Sequence, residues 1–192
     1  MNTRETLKVY EEELIQAVTA IDDGEMDKAV SLLLNAYRED RQIFIFGNGG
    51  SASTANHFVC DFGKNAVQGG KRRFRILSLS DNVEKITALG NDIAYAEVFH
   101  EQMKNLMRPG DVVIAISASG TSPNVVNACE YARQIGGKLI ALAGFSGGKI
   151  APMADAALVS DMKSYERIED LHLIILHMIV CYFKEHQEYF TA

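Results

Sequence analysis

Two short stretches of this 192-residue chain place glycine and hydroxyl side chains directly after an apolar run. Ile43-Phe44-Ile45-Phe46 enters Gly47-Asn48-Gly49-Gly50-Ser51 ahead of a helical stretch, and Val112 to Ile116 enters Ser117-Ala118-Ser119-Gly120-Thr121-Ser122 ahead of another. Glycine lets a backbone approach an anion closely, while the N–H groups of a helix start and nearby hydroxyls donate hydrogen bonds to it. Such loops suit a phosphate monoester. Neither ends in Gly-Lys-Ser/Thr, and the first lacks the Gly-x-Gly-x-x-Gly spacing, which disfavours nucleoside triphosphates and dinucleotides. Beyond the first loop, His57 and Asp61 stand four apart on a predicted helix, so they share a face and can meet one ligand.

The elements that would carry these residues follow from periodicity. Short apolar runs at Ile43 to Phe46, Arg75 to Leu79, Asp111 to Ile116, Lys138 to Ala143 and Ala156 to Val159 alternate with helical stretches starting near Ser51, Asn82, Tyr95 and Ser122. Each crossover is long enough for parallel strands, which predicts a doubly wound α/β domain with a five-stranded parallel sheet. In such a sheet the carboxyl ends of the first and third strands can flank the switch point, and both loops could reach one ligand. Ahead of the sheet, Leu7, Tyr10, Leu14, Val18 and Ile21 recur at helical spacing, and after a break at Gly24 so do Val30, Leu33, Leu34 and Tyr37. Residues 1–40 therefore read as a helical pair whose apolar stripe could pack on a neighbouring subunit. The closing segment, Arg167 to Phe183, is apolar on nearly every side and predicts a long helix, more easily buried at an oligomer interface than within one small domain.

Composition narrows the function classes. With 47% apolar and 23% charged residues the chain supports one ordinary core, hence a single domain over 1–192. The net charge of −6 argues against a nucleic-acid partner, and the local cluster Lys71-Arg72-Arg73-Phe74-Arg75 reads as a solvated loop. A polar start without a signal-like apolar stretch, and a final segment too short and interrupted for a span, point to a cytoplasmic protein with no membrane partner. Cys60, Cys129 and Cys181 are widely spaced and fit reduced core thiols better than a disulfide framework.

The run from Phe46 through Ser51 to His57, followed by Gly90-Asn91-Asp92, Ile116 to Gly120 and Arg167-Ile168-Glu169, resembles the sugar isomerase (SIS) domain superfamily and, within it, the phosphoheptose isomerase family. The similarity covers nearly the whole length. It implies a flavodoxin-like fold and an aldose–ketose isomerase, converting sedoheptulose 7-phosphate to D-glycero-D-manno-heptose 7-phosphate. Ser51, Ser117, Ser119 and Ser122 correspond to its phosphate-binding positions, with Asn48 and Gly49 in the same substrate loop. Asp92 would bond sugar hydroxyls or simply end a turn. His57, Asp61, Glu169 and His177 would hold a divalent metal, most naturally zinc, with Asp61, Glu169 and His177 doing the acid–base work. In this chain Asp61 replaces a glutamate, Glu169 a glutamine, Ala118 a threonine and Thr121 an asparagine of that family. Glu169 and His177 are separated by ~12 Å along a helix axis, so a site using both would draw on more than one subunit, consistent with a homotetramer. The competing readings are a non-catalytic phosphosugar-binding protein on the same scaffold and an isomerase of another phosphosugar.

Overall fold

The computed structural model describes residues 2–190. Two helices lead, α1 (Thr3–Thr19) and α2 (Asp23–Arg38). The chain breaks before Gly24 rather than at it, because Asp22 caps α2 by accepting a 2.9 Å hydrogen bond from the Glu25 N–H. Then follow β1 (Gln42–Phe46), α3 (Gly50–Asn65), β2 (Arg75–Ser78), α4 (Val83–Asp92) and α5 (Val98–Leu106). The chain continues through β3 (Val112–Ser117), α6 (Pro123–Gln134), β4 (Lys138–Ala143), β5 (Ala156–Val159) and α7 (Tyr165–Glu185).

All strand pairs are parallel, in the order β2-β1-β3-β4-β5. Side chains alternate between two cores: Ile43 and Ile45 of β1 pack with α2, α3 and α7, and Phe44 and Phe46 with α5 and α6. Burial on both faces explains why the strands read as unbroken apolar runs. Since α3 and α6 leave neighbouring strands for opposite faces, the carboxyl ends of β1 and β3 open a crevice between them.

The ends of the chain differ from expectation. Helix α7 buries Ile168, Leu171, His172, Ile175, Leu176, Ile179, Val180 and Phe183 within its own chain, so its apolar surface is covered by α3, α1 and the sheet rather than by a partner. Helix α1 buries none of its residues, and Leu7 and Ile15 are 64% and 55% exposed. Its Leu14, Ala17 and Val18 pack partly buried against the core, and polar contacts to α7 add to them, the Tyr10 hydroxyl donating to Asp170 and Arg167 Nε lying 3.1 Å from Glu13 Oε2. The three thiols are free, but only Cys129 is a core thiol, its pKa pushed up to about 12 by burial; Cys60 and Cys181 lie on exposed helix faces, the sides their helices turn away from the sheet. Much of the basic cluster is tied down, with Arg72 bonded to Asp40 and the Tyr37 carbonyl and Lys71 to the Gln187 carbonyl. No helix among the described residues is long and apolar enough to cross a membrane.

His172 is 1% exposed, and neither ring nitrogen has a hydrogen-bond partner of ordinary geometry. Burial lowers its pKa to about 4, opposed in part by the Ala143 backbone. A folded-state pKa below the unfolded value means that stability is full above pH ~6.5 and is lost as pH falls toward 4. Chemical denaturation should therefore show about 2 kcal/mol less stability from this residue at pH 5 than at pH 7. His172→Leu should flatten that dependence, and an undiminished slope in the variant would assign it to other groups.

Candidate active site

Both predicted loops reach the crevice. Gly49 adopts φ 52° as the residue preceding α3, a conformation natural to glycine. Gly47 has no room for a side chain, because a Cβ there would lie 2.7 Å from the Ile116 carbonyl oxygen. That closeness brings the β1–α3 turn against the end of β3. The Ser122 side chain forms no capping bond to α6, whose first turn carries Pro123, so the hydroxyl stays available and stands 3.3 Å from Ser117 Oγ. Asn48, Ser51, Ser117, Ser119 and Ser122 together line a cleft of about 160 Å³, closed by Tyr165 and Glu169 from α7. Helix α3 starts at this cleft, with the Ala52 and Ser53 N–H groups already bonded to the Asn48 and Gly49 carbonyls, so Gly50 and Ser51 are the positions whose N–H groups can serve an anion.

Thr121 does not line the cleft; its hydroxyl lies 3.1 Å from Ser119 Oγ and steadies that side chain. Asp92 ends α4, exposed, and accepts a 2.8 Å hydrogen bond from Asn91. It belongs to the helix end and stays outside the cleft.

The four acid–base candidates separate into two places. Helices α3 and α7 lie side by side and run the same way, so residues at matching heights meet. Near their starts Glu169 covers Gly50, where an added Cβ would sit 2.1 Å from Glu169 Oε2. Seven residues along α3, ~10.5 Å up the axis, His57 Nε2 lies 2.9 Å from His177 Nε2 and 3.3 Å from Asp61 Oδ2, and His177 Nε2 lies 3.7 Å from Asp61 Oδ2. His57, Asp61 and His177 therefore meet within one chain, while Glu169 and His177, whose spacing along α7 led to the expectation of a site shared between subunits, stand apart. Glu169 instead joins the cleft. Ligands at ~2.0–2.1 Å from a tetrahedral metal stand ~3.3 Å from one another, and these three separations bracket that value. Two imidazoles and a carboxylate are a donor set suited to zinc, with a fourth position open.

A second gathering, Glu97, His100 and Glu101, is spent on internal contacts. Glu97 pairs with His100 Nδ1 at 2.6 Å and Glu101 with Lys104. A larger cavity of about 630 Å³ lies away from both loops, between α1 and the segment after β5, and its rim mixes Glu13, Asp22 and Asp161 with Arg167 and Lys163. Two of these charges, Arg167 and Glu13, pair with each other.

Residues 10–144 match the family model described as SIS domain. The chain belongs to the SIS domain family. Phosphoheptose isomerase of Helicobacter pylori strain Shi470 is 39% identical over 152 residues, 79% of this chain and 78% of its own length. Phosphoheptose isomerase of Geobacter sp. strain M21 is 37% identical over 155 residues, 80% of each chain. The solved phosphoheptose isomerase of Neisseria gonorrhoeae superposes with a TM-score of 0.86 at 30% identity, covering 96% of this chain and 100% of that one.

In this SIS domain the residues that sequence reasoning missed are Asn124, Tyr95 and Tyr165. Asn124 exchanges hydrogen bonds of 2.9 and 2.8 Å with Asn48, and the Tyr95 hydroxyl adds a third contact to Asn48 at 2.9 Å. A polar residue two positions after Ser122, in the first turn of a helix, was the one available signal for Asn124. Tyr95 and Tyr165 offered none.

Glu169 has its pKa raised, first by burial and then by Glu166 and Asp170. Its carboxyl therefore holds a proton to higher pH than an ordinary glutamate.

Proposed function

We propose that this protein is an aldose–ketose isomerase of the phosphoheptose isomerase type, acting on sedoheptulose 7-phosphate. The observation that carries the reading is the alignment, along one helix, of a hydroxyl-lined cleft and a His–Asp–His cluster ~10.5 Å apart. That separation suits an extended sugar phosphate with its phosphate and carbonyl at opposite ends. The phosphate sits among Ser51, Ser117, Ser119 and Ser122, and the carbonyl end reaches His57, Asp61 and His177. Relatives named phosphoheptose isomerase over most of both chains support the same reaction.

Isomerisation moves one proton between adjacent carbons through an enediol, and another between the two oxygens. Asp61 takes the proton from C1 of the ketose and returns it to C2 through Oδ1, since Oδ2 faces the two imidazoles, while His177, whose Nε2 belongs to the cluster, serves the oxygens through Nδ1. Asp61 is favoured over Glu169 for this step because it stands at the carbonyl end. His57, Asp61 and His177 would hold a divalent metal, preferably zinc. When bound, it would supply Lewis-acid stabilisation of charge on the sugar oxygens. The reading is tested by incubating metal-replete protein with a panel of ketose phosphates and identifying the products; absence of any aldose phosphate would remove it.

Glu169 lies beside the phosphate and disfavours it when ionised. Affinity for sedoheptulose 7-phosphate should therefore weaken as pH rises through the raised pKa of Glu169. Glu169→Gln should remove that loss and bind about tenfold more tightly at pH 8, as measured by calorimetry. Folded-state protonation also stabilises only below that pKa, so the variant should melt no lower than wild type at pH 8. A matching decline of affinity in both proteins would exclude Glu169 as its cause.

The exposed apolar residues of α1, Leu7, Val9 and Ile15, support assembly into a homotetramer. Light scattering at micromolar concentration should give four times the 21.2 kDa chain mass. A monomeric mass would leave these exposed residues without their proposed role.

A further inference from the structure

Asn48 lines the cleft, yet most of its hydrogen-bonding capacity faces the protein. Its Nδ2 donates to Asn124 Oδ1 at 2.9 Å, and its Oδ1 accepts from Asn124 Nδ2 at 2.8 Å and from the Tyr95 hydroxyl at 2.9 Å. A carbonyl oxygen has two lone pairs, and both are taken; an amide nitrogen has two protons, and one remains. Presented this way, Asn48 offers a ligand a donor and no acceptor, which is the polarity a phosphate or sugar oxygen requires.

The reciprocal Asn48–Asn124 pair alone does not select this orientation, because both amides can turn over together and keep both bonds. The Tyr95 phenol breaks that symmetry, being a stronger donor than acceptor. Tyr95 is itself 57% exposed, so little packing fixes its hydroxyl. It is fixed through its turn, Tyr95–Glu97, which leads into α5. Asn127 on α6 donates to the Ala96 carbonyl at 3.2 Å and to Glu97 Oε1 at 2.7 Å, and His100 holds Glu97 Oε2 at 2.6 Å. One turn earlier on the same helix, Asn124 grips Asn48. Helix α6 thus aligns the tyrosine and the amide it touches.

We propose that Tyr95 is a positioning residue for the sugar-phosphate site, acting through Asn48 to keep one amide N–H toward the ligand. This rests on the reading of the cleft as that site. The consequence is specific: removing the hydroxyl lets the Asn48 amide turn and present its carbonyl to an anionic ligand.

The test is a double-mutant cycle with Tyr95→Phe, Asn48→Ala and the two combined. The readouts are KM and kcat for sedoheptulose 7-phosphate, calorimetric Kd for sedoheptulose 7-phosphate and for inorganic phosphate, and Tm. Tyr95→Phe should raise KM and Kd about fivefold, the loss of one hydrogen bond's net effect, with the change in KM rather than kcat and with Tm within a degree or so of wild type. In the Asn48→Ala background the same substitution should shift Kd by less than about 1.5-fold, because its route to the ligand is gone. An equal shift in both backgrounds, or no shift in either, overturns the proposal. A protein that binds the sugar phosphate but isomerises nothing defeats the enzymatic reading alone, since the Kd cycle still decides Tyr95. A wild-type protein that binds neither probe overturns both.

Discussion

His57→Ala and His177→Ala are each expected to lower turnover by about 10²–10⁴-fold and to abolish stoichiometric metal binding, while leaving the fold intact. Both side chains are partly exposed, 49% and 44%, so their removal opens no core cavity. Each truncation leaves two donors of the three that converge, too few to hold a metal firmly. Metal analysis should fall from about one equivalent per chain in the wild type to a small fraction in either variant. The structure adds a result that helix spacing alone did not suggest. Because both imidazoles come from one chain, oligomers mixed from the two variants should recover no activity even when subunit exchange is verified. Recovery would place the rings of one working site on different subunits. Wild-type turnover in either variant would remove the cluster from the mechanism, and active protein free of metal would remove the metal.

Asp61→Asn should cost turnover by a similar factor, about 10²–10⁴, because an amide cannot accept the carbon-bound proton. The more telling comparison is with Asp61→Glu, which restores the glutamate found at this position in the resembling family. It lengthens the side chain by one methylene without removing the base, so it should retain most of the activity. Metal content must be measured on both variants. Loss of turnover in Asp61→Asn with metal retained assigns Asp61 a proton-transfer role; parallel loss of metal and turnover would make it chiefly a ligand. An active Asp61→Asn protein would shift the carbon-proton step to Glu169, and the pH dependence of Glu169→Gln would then have to appear in kcat rather than in affinity.

The sequence by itself determined the sheet and its two loops. Runs such as Ile43 to Phe46 and Val112 to Ile116 are buried on both faces, so their apolar character is continuous and local, and strand identity survives reading in one dimension. The glycines of the first loop and the serines of the second were visible for the same reason, since turn chemistry and helix starts depend on neighbours in the chain. His57 and Asp61 were legible as a pair because helix periodicity alone places them on one face. What only the tertiary structure decided was how the final helix lies. Its parallel packing beside α3 sets Glu169 over Gly50 and His177 against His57, separating two residues that the resemblance put in one site. It also covers most of α7 from within the chain and leaves Leu7, Val9 and Ile15 of α1 exposed. The contacts of Asn48 with Asn124 and Tyr95 cross 76 and 47 residues of sequence. Such pairings arise from the order of the strands and the approach of helices on opposite faces, which no local pattern records.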